Sequence, residues 1–159
     1  MQQGTVSTAR LQLEMWTAAD VAGMREGRRR RDWHPDFPRQ DDRDASSLWV
    51  EGDPWGPRSI VHEGVTVGSI GFFGAPSAGA DGVLEAEVGY GLVESARGSG
   101  LVTEALVALL AQADAGGVRV RASVLPENKA SIRVLAKCGF TGLRGTTEDG
   151  ELVMVRPLP

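Results

Sequence analysis

The chain has 159 residues, which at one domain per roughly 150 residues is a single unit, 1–159, with no room for a separate regulatory module. Apolar residues make up 42% and charged residues 24%, ordinary globular usage that excludes the disordered and fibrous classes. A net charge of −4 excludes a general nucleic-acid or anionic-membrane binder.

Near the start, Leu11, Leu13 and Met15 alternate with polar neighbours and predict a strand over about 9–16. Thr17 and Asp20 have capping-box spacing, which predicts a short helix from about 18 to 26. Between 27 and 57 the periodicity breaks down around Pro35, Pro38, Pro54 and Pro57, in a segment where arginines and aspartates nearly balance. That segment reads either as a solvated helix–loop–helix excursion or as a flap over a substrate site. Ile60 and Val61, a turn at Glu63-Gly64, and Val65 to Phe73 predict a hairpin. A further β run spans Val83 to Val93.

The second half changes character. Leu101, Val102, Ala105, Leu106, Leu109, Leu110 and Ala113 recur at helical spacing, and Gly116-Gly117 supplies the stop. Val118, Val120, Ala122 and Val124 alternate as a strand, and Ile132, Leu135 and Ala136 form a second helical face closed by Gly139. A hairpin of 140–143 with 152–155 finishes the chain. The order β-α-α-β-β-β-α-β-α-β-β predicts an α+β (mixed α/β) fold, with about seven strands in a mostly antiparallel sheet and about four helices.

No basic stretch leads into an apolar run at the N-terminus, and no window is apolar enough for a membrane span, so a cytoplasmic location without membrane or nucleic-acid partners is expected. One cysteine, Cys138, forms no internal disulfide, and it makes no four-ligand zinc site with His34 and His62, so no metal is expected.

The most informative passage runs from the β segment at 83–93 through Arg97-Gly98-Ser99-Gly100-Leu101-Val102-Thr103-Glu104-Ala105 into the long helix. A strand that delivers a glycine-rich turn onto a helix N-terminus makes an anion cradle, because unpaired N–H groups and the positive end of the helix dipole converge there. The alternative is that the glycines only permit a tight turn. Two common phosphate loops are excluded: no Gly-x-x-x-x-Gly-Lys-[Ser/Thr] occurs, and Thr103 holds the place of the third glycine of the dinucleotide fingerprint.

Together with Asn128-Lys129-Ala130-Ser131-Ile132-Arg133-Val134-Leu135-Ala136-Lys137-Cys138-Gly139-Phe140, this passage resembles the GNAT superfamily of acyl-coenzyme A N-acyltransferases, and most of all its RimJ/RimL-type branch. The resemblance covers about 83–143 and implies an acyl-CoA-binding core there, with acetyl-CoA as co-substrate. It implies a pyrophosphate turn at Arg97, Gly98, Ser99, Gly100, Leu101 and Val102, where Val102 stands in place of the usual Gly or Ala. It also implies backbone contacts to pantetheine from Leu92 and Val93, and a pantetheine arm lined by Asn128 and Ser131. Asn128 has the alternative of only capping its helix, and Arg133 either meets an adenosine phosphate or faces solvent.

The implied reaction is direct attack of a primary amine, of a protein N-terminus or a small molecule, on the thioester in a ternary complex. A base is needed to deprotonate the amine. Glu87 is the first choice and Glu85, on the same strand face, the second. Many relatives place an acidic tyrosine on the helix after the Asn, but Leu135 occupies that position. Tyr90 faces opposite to Glu87 by strand alternation, which leaves Ser131 as the hydroxyl for the leaving thiolate. Trp33, Phe37 and Trp49 are expected either in the acceptor wall or in the core. Dimerisation is common in this branch. A non-catalytic acyl-CoA-binding sensor or partner domain of the same fold is the alternative function.

Overall fold

A computed structural model describes residues 1–159. It contains nine strands and four α-helices: β1 (Val6–Ser7), β2 (Leu11–Met15), α1 (Ala18–Glu26), α2 (Gln40–Ala45), β3 (Arg58–His62), β4 (Val65–Phe72), β5 (Ser77–Ala78), β6 (Leu84–Leu92), α3 (Leu101–Ala115), β7 (Arg119–Val124), α4 (Lys129–Lys137), β8 (Gly142–Thr146) and β9 (Leu152–Arg156). The seven strands and four helices read from the sequence are all present. The two additional strands have two residues each, too short to leave a periodic pattern.

The sheet order is β1-β2-β3-β4-β6-β7-β9-β8, with β5 beside the start of β6. Every pairing is antiparallel except β6 with β7. That parallel pair follows from the crossover through α3, since a helix between two strands returns the chain in the same direction.

The local signals act as their chemistry requires. The Asp20 N–H donates to Thr17 Oγ1 at 3.1 Å and the Thr17 N–H to Asp20 Oδ2 at 3.0 Å, so the capping box starts α1. Helix α3 buries Leu101, Ala105, Leu106, Leu109, Leu110 and Ala113, one stripe at helical spacing. These side chains are among the 29 buried hydrophobic residues of one continuous core.

The segment 27–57 is fastened to that core. Thr66 on β4 donates to the Asp32 carbonyl at 2.8 Å and accepts from the His34 N–H at 2.9 Å, while the Phe72 N–H bonds the Trp55 carbonyl at 2.9 Å. Trp33 and Phe37 pack edge to face, centroids 5.3 Å apart, and both are buried. Backbone bonds to β4 and aromatic packing thus hold this proline-rich segment, whose one α-helix is the short α2.

Candidate active site

Strand β6 is the element that positions the site. The Phe73 N–H bonds the Glu87 carbonyl at 2.9 Å and the Val93 N–H bonds the Val67 carbonyl at 2.8 Å. Odd-numbered residues therefore use their backbone groups on β4, and Val88, Tyr90 and Leu92 turn theirs the other way. On that other side β7 pairs only as far as Glu87 opposite Arg121. Beyond it the strands part, and the backbone groups of Tyr90 and the Leu92 N–H turn to the gap side, while the Leu92 carbonyl is taken by Arg97.

A cavity of about 700 Å³ occupies this gap. Its lining includes Glu87 to Tyr90 from β6, Ala122 to Leu125 at the end of β7, and Asn128, Ser131 and Leu135 from the α4 side. Helix α2 closes another wall with Arg39, Asp41, Asp42, Asp44 and Ala45. The acidic turn between β8 and β9 contributes Asp149 and Glu151.

Glu87 is partly exposed in this cavity and accepts from Ser123 Oγ at 3.0 Å and from Arg121 Nε at 3.3 Å. Glu85, the second choice of base, has a different environment. It is buried and bonds Arg119 at 2.6 Å, Arg121 at 2.7 Å and Arg144 at 2.6 Å. Hydrogen bonds from Arg144 above all, then from Arg121 and Arg119, outweigh the opposing effect of burial and hold its carboxyl at about 2. A carboxylate so firmly ionised takes no proton near neutral pH, so Glu85 is a structural anion that ties β6 to β7 and β8.

Tyr90 lies nearer to Glu87 than strand alternation alone suggests. The two project from opposite faces of β6, yet both line the cavity, because the cavity passes through the gap beside the strand. The Tyr90 hydroxyl lies 2.7 Å from Ser131 Oγ. Burial pushes its pKa up, so the phenol keeps its proton. The signal available in the sequence was that Tyr90 is the chain's one tyrosine, three residues after Glu87.

The glycine turn forms as expected around an exposed loop. Gly98 and Gly100 have φ of 87° and 80°, a left-handed conformation suited to glycine, and Gly100 is the N-cap of α3 with no side-chain cap. The N–H groups of Leu101, Val102 and Thr103 have no intrahelical partner and remain available to an anion. The Val102 side chain is half-buried and packs against the core. Arg97 Nε donates to the Leu92 carbonyl at 3.1 Å, anchoring the end of β6. Sequence reasoning passed over Arg10, whose guanidinium bonds the Ser99 carbonyl at 2.8 Å and Glu104 at 2.8 Å, bracing the turn from β2's side.

Several expected residues lie elsewhere or are already engaged. The Val93 N–H, assigned to pantetheine, is taken by Val67, which leaves Leu92 as the one of the two whose N–H faces the gap. Trp33 and Phe37 are core residues, and Trp49 donates its indole N–H to the Trp16 carbonyl at 3.1 Å; none of the three lines the cavity. Asn128 caps α4 by accepting from the Ser131 N–H at 3.1 Å, while also lining the cavity. Arg133 is exposed on α4. Cys138 is buried, and burial pushes its thiol up, which disfavours the thiolate that a covalent acyl-enzyme would need.

The family model described as Acetyltransferase (GNAT) domain matches residues 10–141. The chain belongs to the GNAT acetyltransferase family. Among solved structures, a GnaT-family acetyltransferase from Bordetella pertussis aligns with it at a TM-score of 0.70 and 26% identity, covering 98% of this chain and 100% of that one. RimL, a ribosomal-protein α-N-acetyltransferase solved with coenzyme A, aligns at 0.68 and 18% identity over 96% of each chain. A microcin self-immunity acetyltransferase solved with acetyl-CoA and AMP aligns at 0.67 and 18% identity, over 98% of this GNAT chain and 97% of its own. The last two share its fold. No protein of curated function matches the sequence. No helix of this GNAT protein is long and apolar enough to cross a membrane, and no group of three or more His, Cys, Asp or Glu side chains is arranged to hold a metal ion.

Proposed function

We propose that this protein is an N-acetyltransferase that moves an acetyl group from acetyl-CoA to a primary amine by direct attack in a ternary complex. The observation that carries this reading is the gap between β6 and β7, which brings Glu87, Tyr90, Ser131 and free backbone groups around one cavity. Family membership supports acetyl transfer, and the coenzyme A complexes of RimL and the microcin enzyme support the choice of donor.

Acetyl-CoA supplies an activated thioester. The uncapped first turn of α3, with two glycines free of Cβ atoms, fits its pyrophosphate. The Leu92 N–H donates toward the thioester carbonyl, where a fixed dipole favours developing negative charge. Glu87, held by Ser123 and Arg121, removes the proton from the attacking ammonium, directly or through water. Tyr90 and Ser131, in mutual contact, return a proton to the departing thiolate. A phenol is a far better acid than an aliphatic alcohol, so the proton comes from Tyr90, and Ser131 orients it.

A thermal-shift titration with acetyl-CoA tests the donor. At 100 times the dissociation constant a ligand adds about 2.7 kcal/mol, which raises the melting temperature of a domain of this size by roughly 5–10 °C. Adenosine diphosphate should give a smaller rise through the same turn. Absence of any rise with millimolar acetyl-CoA would sink the proposal.

Tyr90→Phe tests the acid. It keeps the ring and loses the hydroxyl, so turnover should fall by about 10–100-fold, at or below the lower range for proton-transfer groups, with the acetyl-CoA thermal shift retained. Unchanged turnover would return the role to Ser131 or to solvent.

A further inference from the structure

We propose that the acceptor of this cavity is an aliphatic polycation, a primary amine joined through a hydrocarbon segment to at least one further ammonium group. The proposal rests on the acetyl-transfer reading above and names the substrate class of that same site.

Charge is the first observation. Six carboxylates line the cavity, those of Asp41, Asp42, Asp44, Glu87, Asp149 and Glu151, against the single guanidinium of Arg39. Their net of −5, against −4 for the whole chain, makes this lining strongly acidic, with Arg121 just outside it offsetting part of the Glu87 charge at 3.3 Å. Arg39 is already committed. It grips the fully buried Asp42 through Nη2 at 3.0 Å and Nε at 3.2 Å, and lies against the Cα of Gly91, a surface a Cβ would occupy. An acceptor carrying a carboxylate or phosphate therefore meets no free cation.

Of the six carboxylates, Asp42 pairs with Arg39 at 3.0 Å, Asp41 lies 3.9 Å from the same guanidinium and Glu87 lies 3.3 Å from Arg121; the other three have no cation. Asp44 receives only the Gln40 amide, and Asp149 and Glu151 have no cationic partner. They stand on two separate walls, α2 and the β8–β9 turn, with Glu87 contributed from the sheet.

The second observation is apolar and independent of charge. Leu48, Phe73 and Leu125 line the same cavity, yet they are 52%, 52% and 49% exposed. Large apolar side chains left open around a polar cavity suit a ligand that brings its own hydrocarbon. An ammonium at Glu87, methylenes along Phe73 and Leu125, and a second ammonium at the Asp149–Glu151 turn would satisfy both observations together.

Calorimetric titration of the full chain saturated with coenzyme A tests this, with cadaverine, spermidine and n-pentylamine as probes. Cadaverine and n-pentylamine share a five-carbon chain and differ in the second ammonium. In about 0.02 M salt both polyamines should bind about tenfold or more tightly than n-pentylamine, and the margin should shrink in about 0.5 M salt, where charges are screened beyond a few ångströms. The double variant Asp149→Asn, Glu151→Gln should lose most of the margin while keeping the affinity for n-pentylamine and the acetyl-CoA thermal shift. Equal binding of cadaverine and n-pentylamine, tighter binding of a peptide with an acidic N-terminal segment, or no binding of any amine to the coenzyme A complex overturns the proposal. Loss of the acetyl-CoA thermal shift in the unmodified protein is a separate result, and it removes the acetyl-transfer reading itself.

Discussion

Glu87→Gln should lower turnover by about 10²–10⁴ while leaving the acetyl-CoA thermal shift in place. Glutamine keeps the length of the side chain and an oxygen to accept from Ser123, which now lies 3.0 Å away, but it cannot take a proton from an ammonium at neutral pH. Stability should change little. The Glu87–Arg121 contact is long, at 3.3 Å, and both side chains are partly exposed, a setting in which an ion pair contributes less than about 1 kcal/mol. Parallel measurement of acetyl transfer and of melting temperature with and without acetyl-CoA makes the result decisive. A variant that turns over within twofold of the unmodified protein dismisses Glu87 as the base. A protein that binds acetyl-CoA but transfers nothing to any amine, with or without the substitution, is the sensor domain of the same fold.

Glu85→Gln, two residues earlier, should do the opposite: it should unsettle the fold. The carboxyl sits at about 2 in the folded protein against an ordinary 4.5. A folded value below the unfolded one means that the stabilisation is fully present above about pH 4.5 and is lost as the pH falls toward 2. The shift corresponds to roughly 2–3 kcal/mol, taken at the lower end because Arg121 and Arg144 reach solvent. Removing the charge at neutral pH leaves three guanidinium groups crowded without their shared anion, so about 3 kcal/mol of stability should go. Urea unfolding at intervals from pH 7 to pH 3 checks both statements. The unmodified chain should weaken below about pH 4.5, and the variant should start lower and decline less steeply. Parallel pH curves for the two proteins would show that Glu85 contributes nothing through its charge.

The two glutamates also mark how far sequence alone reaches. Alternation along β6 places Glu85 and Glu87 on one face and makes both candidate bases. What separates them is how far each one's cations enclose it. Arg119 and Arg121 approach Glu85 from β7, and Arg144 arrives from β8, 59 residues along the chain. The order of pairing in the sheet makes that meeting, and no local pattern carries it.

Elements whose cause is local were legible. The Thr17 capping box, the Glu63-Gly64 turn, the apolar stripe of α3 and its glycine N-cap each arise between residues within a few positions of one another, and each stands where its spacing predicted. The family was legible for the same reason, since its glycine turn and its Asn-x-x-Ser helix are contiguous motifs. The aromatic residues of 27–57 were ambiguous because burial is not a local property. Trp33 and Phe37 went to the core, and the acidic helix α2 took the cavity wall.

The sequence by itself thus determined the elements, their order and the family, all of which follow from interactions between near neighbours in the chain. Only the tertiary structure decided which groups share the cavity. Tyr90 meets Ser131 across 41 residues and Asp42 meets Ser69 across 27, contacts set by where β6 parts from β7 and by how α2 packs beside it. The reason is physical: side-chain periodicity fixes which face a residue presents, whereas the partner on that face depends on strand order, crossover and helix packing.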